Sequence, residues 1–104
     1  MQTRSAIFRA LGDPSRLAIF ECLARKEAPV KDLTARFRIT QPAVSQHLAA
    51  LRKAGLVTVR RDGRLAYYSL NAAGLKPLVD WLAHYQAFWP RSVSRLEALL
   101  KEMD

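Results

Sequence analysis

Apolar residues recur at three- and four-residue intervals over most of the chain. Near the middle they switch to a β-rich pattern, then return to helical spacing. Ile7, Phe8 and Leu11 predict a first helix over residues 2–11. The stretch "LGDPSRL" closes it: Gly12 suits a helix end, Asp13 an N-cap, and Pro14 the first helical position, where no backbone N–H is needed. Leu17, Phe20 and Leu23, with Ile19, give the second helix an inner face. "KEAPV" reads as a turn, and "VKDLTARF" as a short third helix with Val30, Leu33 and Phe37 inward. "RIT" is then a tight connection into the next helix.

That next helix, within "TQPAVSQHLAALRKAGLV" at 40–57, has the sharpest signals. Thr40 suits the N-cap, Pro42 the first turn, and Gly55 the stop. Val44, Leu48 and Leu51 form a narrow stripe facing a core. Gln41, Ser45, Gln46 and Arg52 remain on or beside the opposite face, amides and a hydroxyl in front and basic charge behind.

After Gly55, "LVTVRRDGRLAYYSL" holds two runs of β-branched and aromatic residues joined by Asp62-Gly63, a two-residue hairpin signal. Tyr67 and Tyr68 alternate, so one should pack on the body while the other faces outward. From Asn71 the helical period returns. Leu75, Leu78, Val79, Leu82, Tyr85 and Trp89 make one stripe, with Trp81 and Phe88 beside it. Pro90 should kink or split this helix, and Val93, Leu96, Leu100 and Met103 continue at the spacing of a helix–helix seam.

The expected architecture is mainly α (α+β): five to six helices with a two-stranded β-hairpin, one domain over 1–104. Half the residues are hydrophobic and a quarter charged, an ordinary globular composition rather than a disordered one. Seventeen Lys and Arg against nine Asp and Glu give a formal charge of +8, which points to a polyanionic partner. The charge is concentrated in Arg36, Arg38, Arg52, Lys53, Arg60, Arg61 and Arg64, with Asp62 as the one acid between 36 and 64. No long apolar run, lysine-rich amphipathic tail or signal-like start suggests a membrane, and a single cysteine suits a reducing cytoplasm.

A short helix, a tight turn and a second helix with a polar front make a helix-turn-helix, and the hairpin behind it makes a wing. An α-helix fits the major groove of B-DNA, where Gln can pair with adenine and Ser with several bases. Basic residues at its far end and on the wing at 60–64 suit phosphates, which position a protein without reading sequence.

The sequence resembles the ArsR-type winged-helix repressors of bacteria. The resemblance rests on "FRALGDPSRLAIFECL", "VKDLTARFRITQPAVSQHLAALRKAGLV" and "RRDGRLAYYSL", and covers roughly residues 5–70. It implies a homodimeric, sequence-specific repressor of double-stranded DNA, often acting on its own promoter at a pseudo-palindromic operator. Its DNA-facing positions fall on Gln41, Pro42, Ser45 and Gln46, with Arg36, Arg38, Arg52, Arg60, Arg61 and Arg64 as basic contacts. It places the dimer interface on the first and last helices, here Ile7, Phe8, Leu11, Leu82, Tyr85, Phe88 and Trp89.

Many such repressors sense metals, and here the sequence departs from them. "VKDLTARF" lacks a cysteine pair, and the last helix offers only Asp80 and His84, four apart and more simply read as a local pair. No metal and no cofactor are therefore expected. Cys22 has no resolving partner and reads as a small core residue. His47 leans toward the apolar stripe and suits packing with a hydrogen bond behind the helix. It points away from Ser45, so a catalytic couple is not expected and the chain is not read as an enzyme. Trp81, Phe88 and Trp89 could line an effector pocket, with core packing the simpler role. The alternatives are a metal- or redox-gated sensor repressor and a winged-helix module that binds an acidic protein.

Overall fold

Polar caps set the helix starts. The computed structural model describes residues 3–86, 95 and 98–102. Helix α1 (Arg4–Leu11) begins at Thr3, whose hydroxyl accepts from the Ala6 N–H at 3.2 Å. Helix α2 (Pro14–Arg25) begins at Asp13, whose Oδ1 accepts from the Arg16 N–H at 2.9 Å. Each bond satisfies an N–H that the helix itself leaves unpaired. Helix α3 (Val30–Phe37) ends at Arg38, which sits in the left-handed region at φ 55°. A side chain there costs about 1–2 kcal/mol. Arg38→Gly is expected to raise stability by up to about 1 kcal/mol, since the relieved strain exceeds glycine's extra freedom in the unfolded chain. A urea midpoint below that of the unaltered chain would refute this.

Helix α4 (Gln41–Lys53) is capped at both ends. Thr40's hydroxyl accepts from the Ala43 N–H at 3.2 Å. At the other end Gly55, at φ 78°, donates to the Arg52 carbonyl, and the Leu56 N–H donates to the Leu51 carbonyl, both at 2.9 Å. This is a complete Schellman motif, and its apolar partners Leu51 and Leu56 are both fully buried.

The sheet has three antiparallel strands in the order β1-β3-β2: β1 (Ala28–Pro29), β2 (Val57–Asp62) and β3 (Leu65–Leu70). The expected two-stranded wing thus gains a third strand from "KEAPV", which pairs Ala28 with Tyr68 and Pro29 with Tyr67. Two residues are too few to show a period. Pro29 fits because it lies on an edge strand, where its missing N–H costs no ladder bond. The hairpin register pairs Asp62 with Leu65, so the loop is Gly63-Arg64, one residue later than the expected Asp62-Gly63. Gly63, at φ 63°, occupies the first loop position, where a type II′ turn requires glycine.

Ile7, Ile19, Leu33, Val44, Leu48, Leu51 and Leu56 form the fully buried centre. The expected inner face of α2 rotates slightly: Ile19 and Leu23 are buried, Phe20 is half-buried and Leu17 is exposed. In α3 only Leu33 is fully buried, with Val30 and Phe37 packed at the margin. Cys22 is likewise half-buried against the core rather than within it.

A 3₁₀ turn (Ala72–Leu75) leads into α5 (Lys76–Ala83). This junction is bound to the end of α4. Asn71 Nδ2 donates to the Gly55 carbonyl at 2.9 Å, and the Asn71 N–H donates to the Leu56 carbonyl at 2.8 Å. The end of α4 and the lead-in to α5 are therefore hydrogen-bonded directly to each other. Helix α5 stops at Ala83 instead of continuing toward Trp89, with His84 and Tyr85 turning on bonds to the Trp81 and Leu82 carbonyls. Phe88, Trp89 and Pro90 lie outside the described residues. Trp81 packs edge-on against Phe8 (5.2 Å) and Tyr85 (5.3 Å), joining α1 to α5.

Candidate nucleic-acid interface

The stripe of Val44, Leu48 and Leu51 fixes the rotation of α4 by burying one face. That rotation leaves Gln41, Pro42, Ser45 and Gln46 exposed on the other. Among the described residues, no hydrogen bond engages the side chains of Gln41, Ser45 or Gln46. Thr40's hydroxyl, by contrast, is used in capping. Three free polar side chains on a helix held rigidly at both ends are suited to reading base edges.

Arg36 and Arg38 are exposed at the end of α3 and Arg52 at the end of α4, while Arg61 lies near the end of β2 and Arg64 in the wing loop. Arg60 is placed differently. Its Nε donates to Glu27 Oε2 at 3.1 Å, its Nη2 donates to Oε1, and its guanidinium lies 4.7 Å over the Tyr67 ring. Arg60 thus ties the wing to the segment between α2 and α3. Its hydrogen bonds hold the Glu27 carboxyl below the usual carboxylate range. Sequence reading missed Glu27, because 33 residues separate the pair and only the sheet brings them together. Tyr68 packs toward the core while Tyr67 carries Arg60, so the expected alternation is present.

The remaining candidates fall elsewhere. Asp80 pairs with Lys76, four residues earlier, at 2.8 Å rather than with His84, four residues later. Among the described residues, no group of three His, Cys, Asp or Glu side chains is arranged to hold a metal ion. His47 is half-buried as expected, but among the described residues its buried Nδ1 has no hydrogen-bond partner. Asp13 is held below the usual carboxylate range, first by the Arg16 N–H. Of the interface candidates, Phe8 and Tyr85 are exposed, and Leu11 and Leu82 are half-buried. Ile7 is fully buried in this chain's own core, which leaves no surface for a second copy.

A family profile described as "Bacterial regulatory protein, arsR family" matches residues 13–59, from the cap of α2 into the first wing strand. The transcriptional repressor SdpR of Bacillus subtilis is 32% identical over 79 residues, covering 76% of this chain and 88% of that protein. The chain belongs to the arsR family of bacterial regulatory proteins. The transcriptional activator HlyU of Vibrio cholerae is 34% identical, covering 73% of this chain and 70% of that protein. A crystal structure of a possible transcriptional regulator for arsenical resistance is 38% identical, covers 88% of this chain and 92% of that one, and superposes with a TM-score of 0.66. Family and geometry agree: the chain is a DNA-binding transcriptional regulator with a winged helix-turn-helix fold. Among the described residues, no helix is long and apolar enough to cross a membrane.

Proposed function

We propose that the chain is a cytoplasmic, homodimeric repressor, without enzymatic activity, that reads a pseudo-palindromic operator. The observation that carries this reading is the exposed, unbonded front of α4, with Gln41, Ser45 and Gln46 beside Pro42. Those side chains enter the major groove, and two copies of α4 read two half-sites. Arg36, Arg38, Arg52, Arg61 and Arg64 contact phosphates, while Arg60 holds the wing in place through Glu27. Titration of the duplex upstream of its own coding sequence, beside a scrambled duplex and at several salt concentrations, tests the proposal. Tight, selective binding with two chains per site supports it. Equal, weak and steeply salt-dependent binding to both duplexes refutes it.

Dimerisation is supported by α5. No residue of α5 is fully buried, and its Val79 is 59% exposed; Tyr85 and Phe8, which pack against Trp81, are 47% and 44% exposed. A second copy covers this apolar surface. Val79→Glu is expected to convert the dimer to monomer at micromolar concentration while leaving the far-UV circular dichroism unchanged. A variant that sediments as a dimer would show that the interface lies elsewhere.

A further inference from the structure

From Arg60 to Arg64 every residue of the wing is exposed, so burial does not fix the direction of its tip. A polar contact spans the sheet instead. Arg60 on β2 stands opposite Tyr67 on β3, and Pro29 on β1 pairs with Tyr67 from the other side. The Arg60 side chain runs along this row. Its guanidinium passes over the Tyr67 ring, and Nε and Nη2 both donate to the carboxylate of Glu27, the residue just before β1. The third nitrogen, Nη1, lies 3.7 Å from Asp62 Oδ2. Every nitrogen of the guanidinium therefore faces a carboxylate, whereas Arg61 and Arg64 form no ion pair among the described residues.

The Arg60 and Glu27 side chains are 54% and 37% exposed, and an ion pair so open to water adds little to global stability. Its two parallel bonds do fix direction, because the planar fork accepts a carboxylate in one orientation. Its place in the chain gives that direction a use. Glu27 leads into β1, β1 runs without a break into α3, and α3 packs on α4. The clamp thus joins the wing to the first helix of the helix-turn-helix and, through it, to the reading helix. Phosphate contacts set the register of a protein on DNA, which requires the cations to be held at a set distance from the side chains that read bases.

We propose that Glu27 is a positioning residue for operator recognition. It does not touch DNA; acting through Arg60, it fixes the angle at which the wing presents Arg61 and Arg64 to phosphates beside the bases read by α4. This rests on the wing meeting phosphates, as proposed above. The opposite role for the same carboxylate is a mask that withholds Arg60 from DNA, and the two roles predict changes of opposite sign.

Glu27→Ala removes the acceptor, and Arg60→Lys keeps the charge while removing the fork. Spin labels on Lys31→Cys and Arg64→Cys, in a Cys22→Ser background diluted with unlabelled chain, read the distance from α3 to the wing loop without DNA. Each clamp substitution is expected to broaden that distance distribution. Each should also weaken operator binding several-fold, and the double variant no further, since both break one interaction. Affinity for a scrambled duplex, its salt slope and the urea midpoint should hardly change. A distance distribution untouched by Glu27→Ala overturns the proposal. So does a Glu27→Ala chain that binds both duplexes more tightly with a salt slope steeper by about 0.9, the mark of a mask removed. Broadened distances with unchanged operator affinity also overturn it, and Arg64→Gln then locates the failure. An unchanged salt slope in Arg64→Gln means the wing does not meet phosphates, whereas a slope reduced by about 0.9 means it meets them at no set angle.

Discussion

Replacing Ser45 and Gln46 together by Ala is expected to remove about 2–4 kcal/mol of the preference for the operator over a scrambled duplex. A good base-edge pair contributes about 1–3 kcal/mol of discrimination, and adjacent contacts do not add fully. Fold stability should hardly change, because both side chains are exposed and neither is hydrogen-bonded to the described residues. Non-specific affinity and its salt dependence should also persist, since the arginines proposed to meet phosphates are untouched. The measurement is a pair of titrations, operator and scrambled, at one salt concentration for both proteins. If both duplexes weaken equally, α4 contributes orientation rather than reading. If neither weakens, another surface carries the specificity.

The second large effect concerns stability. Gly74→Ala is expected to cost roughly 3 kcal/mol or more and to lower the yield of folded protein. A Cβ built at Gly74 lies 1.8 Å from the Gly55 carbonyl oxygen and 2.7 Å from its carbon. Both are backbone atoms, and rotamer changes cannot relieve the clash. Gly55 is itself held in the left-handed conformation that ends α4, and its carbonyl accepts from Asn71. Relief therefore requires parting the end of α4 from the start of α5, at the cost of those bonds and the burial of Leu56. This falls within the small class of substitutions whose cost exceeds that of ordinary overpacking. Chemical denaturation compares it with Gly63→Ala, where a Cβ meets nothing within 4 Å and only the φ of 63° opposes it. Equal midpoints for the two variants would show that the junction yields easily.

The helices at the centre of the fold were legible because their signals are local. Thr40, Pro42, the Val44–Leu48–Leu51 stripe and Gly55 are each read within one helix, and the structure uses each as expected. The second helix was legible in the same way through Asp13 and Pro14. The exposed front of α4 followed from these, because burying one face of a helix leaves the opposite one outside. Where the apolar signal was broad, the prediction drifted. Leu17 was expected inward with Phe20 and Leu23, but Ile19 and Leu23 take the fully buried places. Four apolar residues allow more than one inner face, and only contact with neighbouring helices selects among them.

Long-range pairing was not legible. Glu27 and Arg60 carry no mutual signal in the sequence, and Ala28–Pro29 is too short to register as a strand. One register, Ala28 opposite Tyr68 and Pro29 opposite Tyr67, creates both relationships. By itself the sequence determined the start of α2, both ends of α4, the exposed polar face of α4 and the basic wing, because caps, periods and turns act over a few residues. Tertiary structure alone decided the third strand, the fixed wing root and the contact of Gly55 with Gly74, because those depend on which distant backbones come to lie side by side.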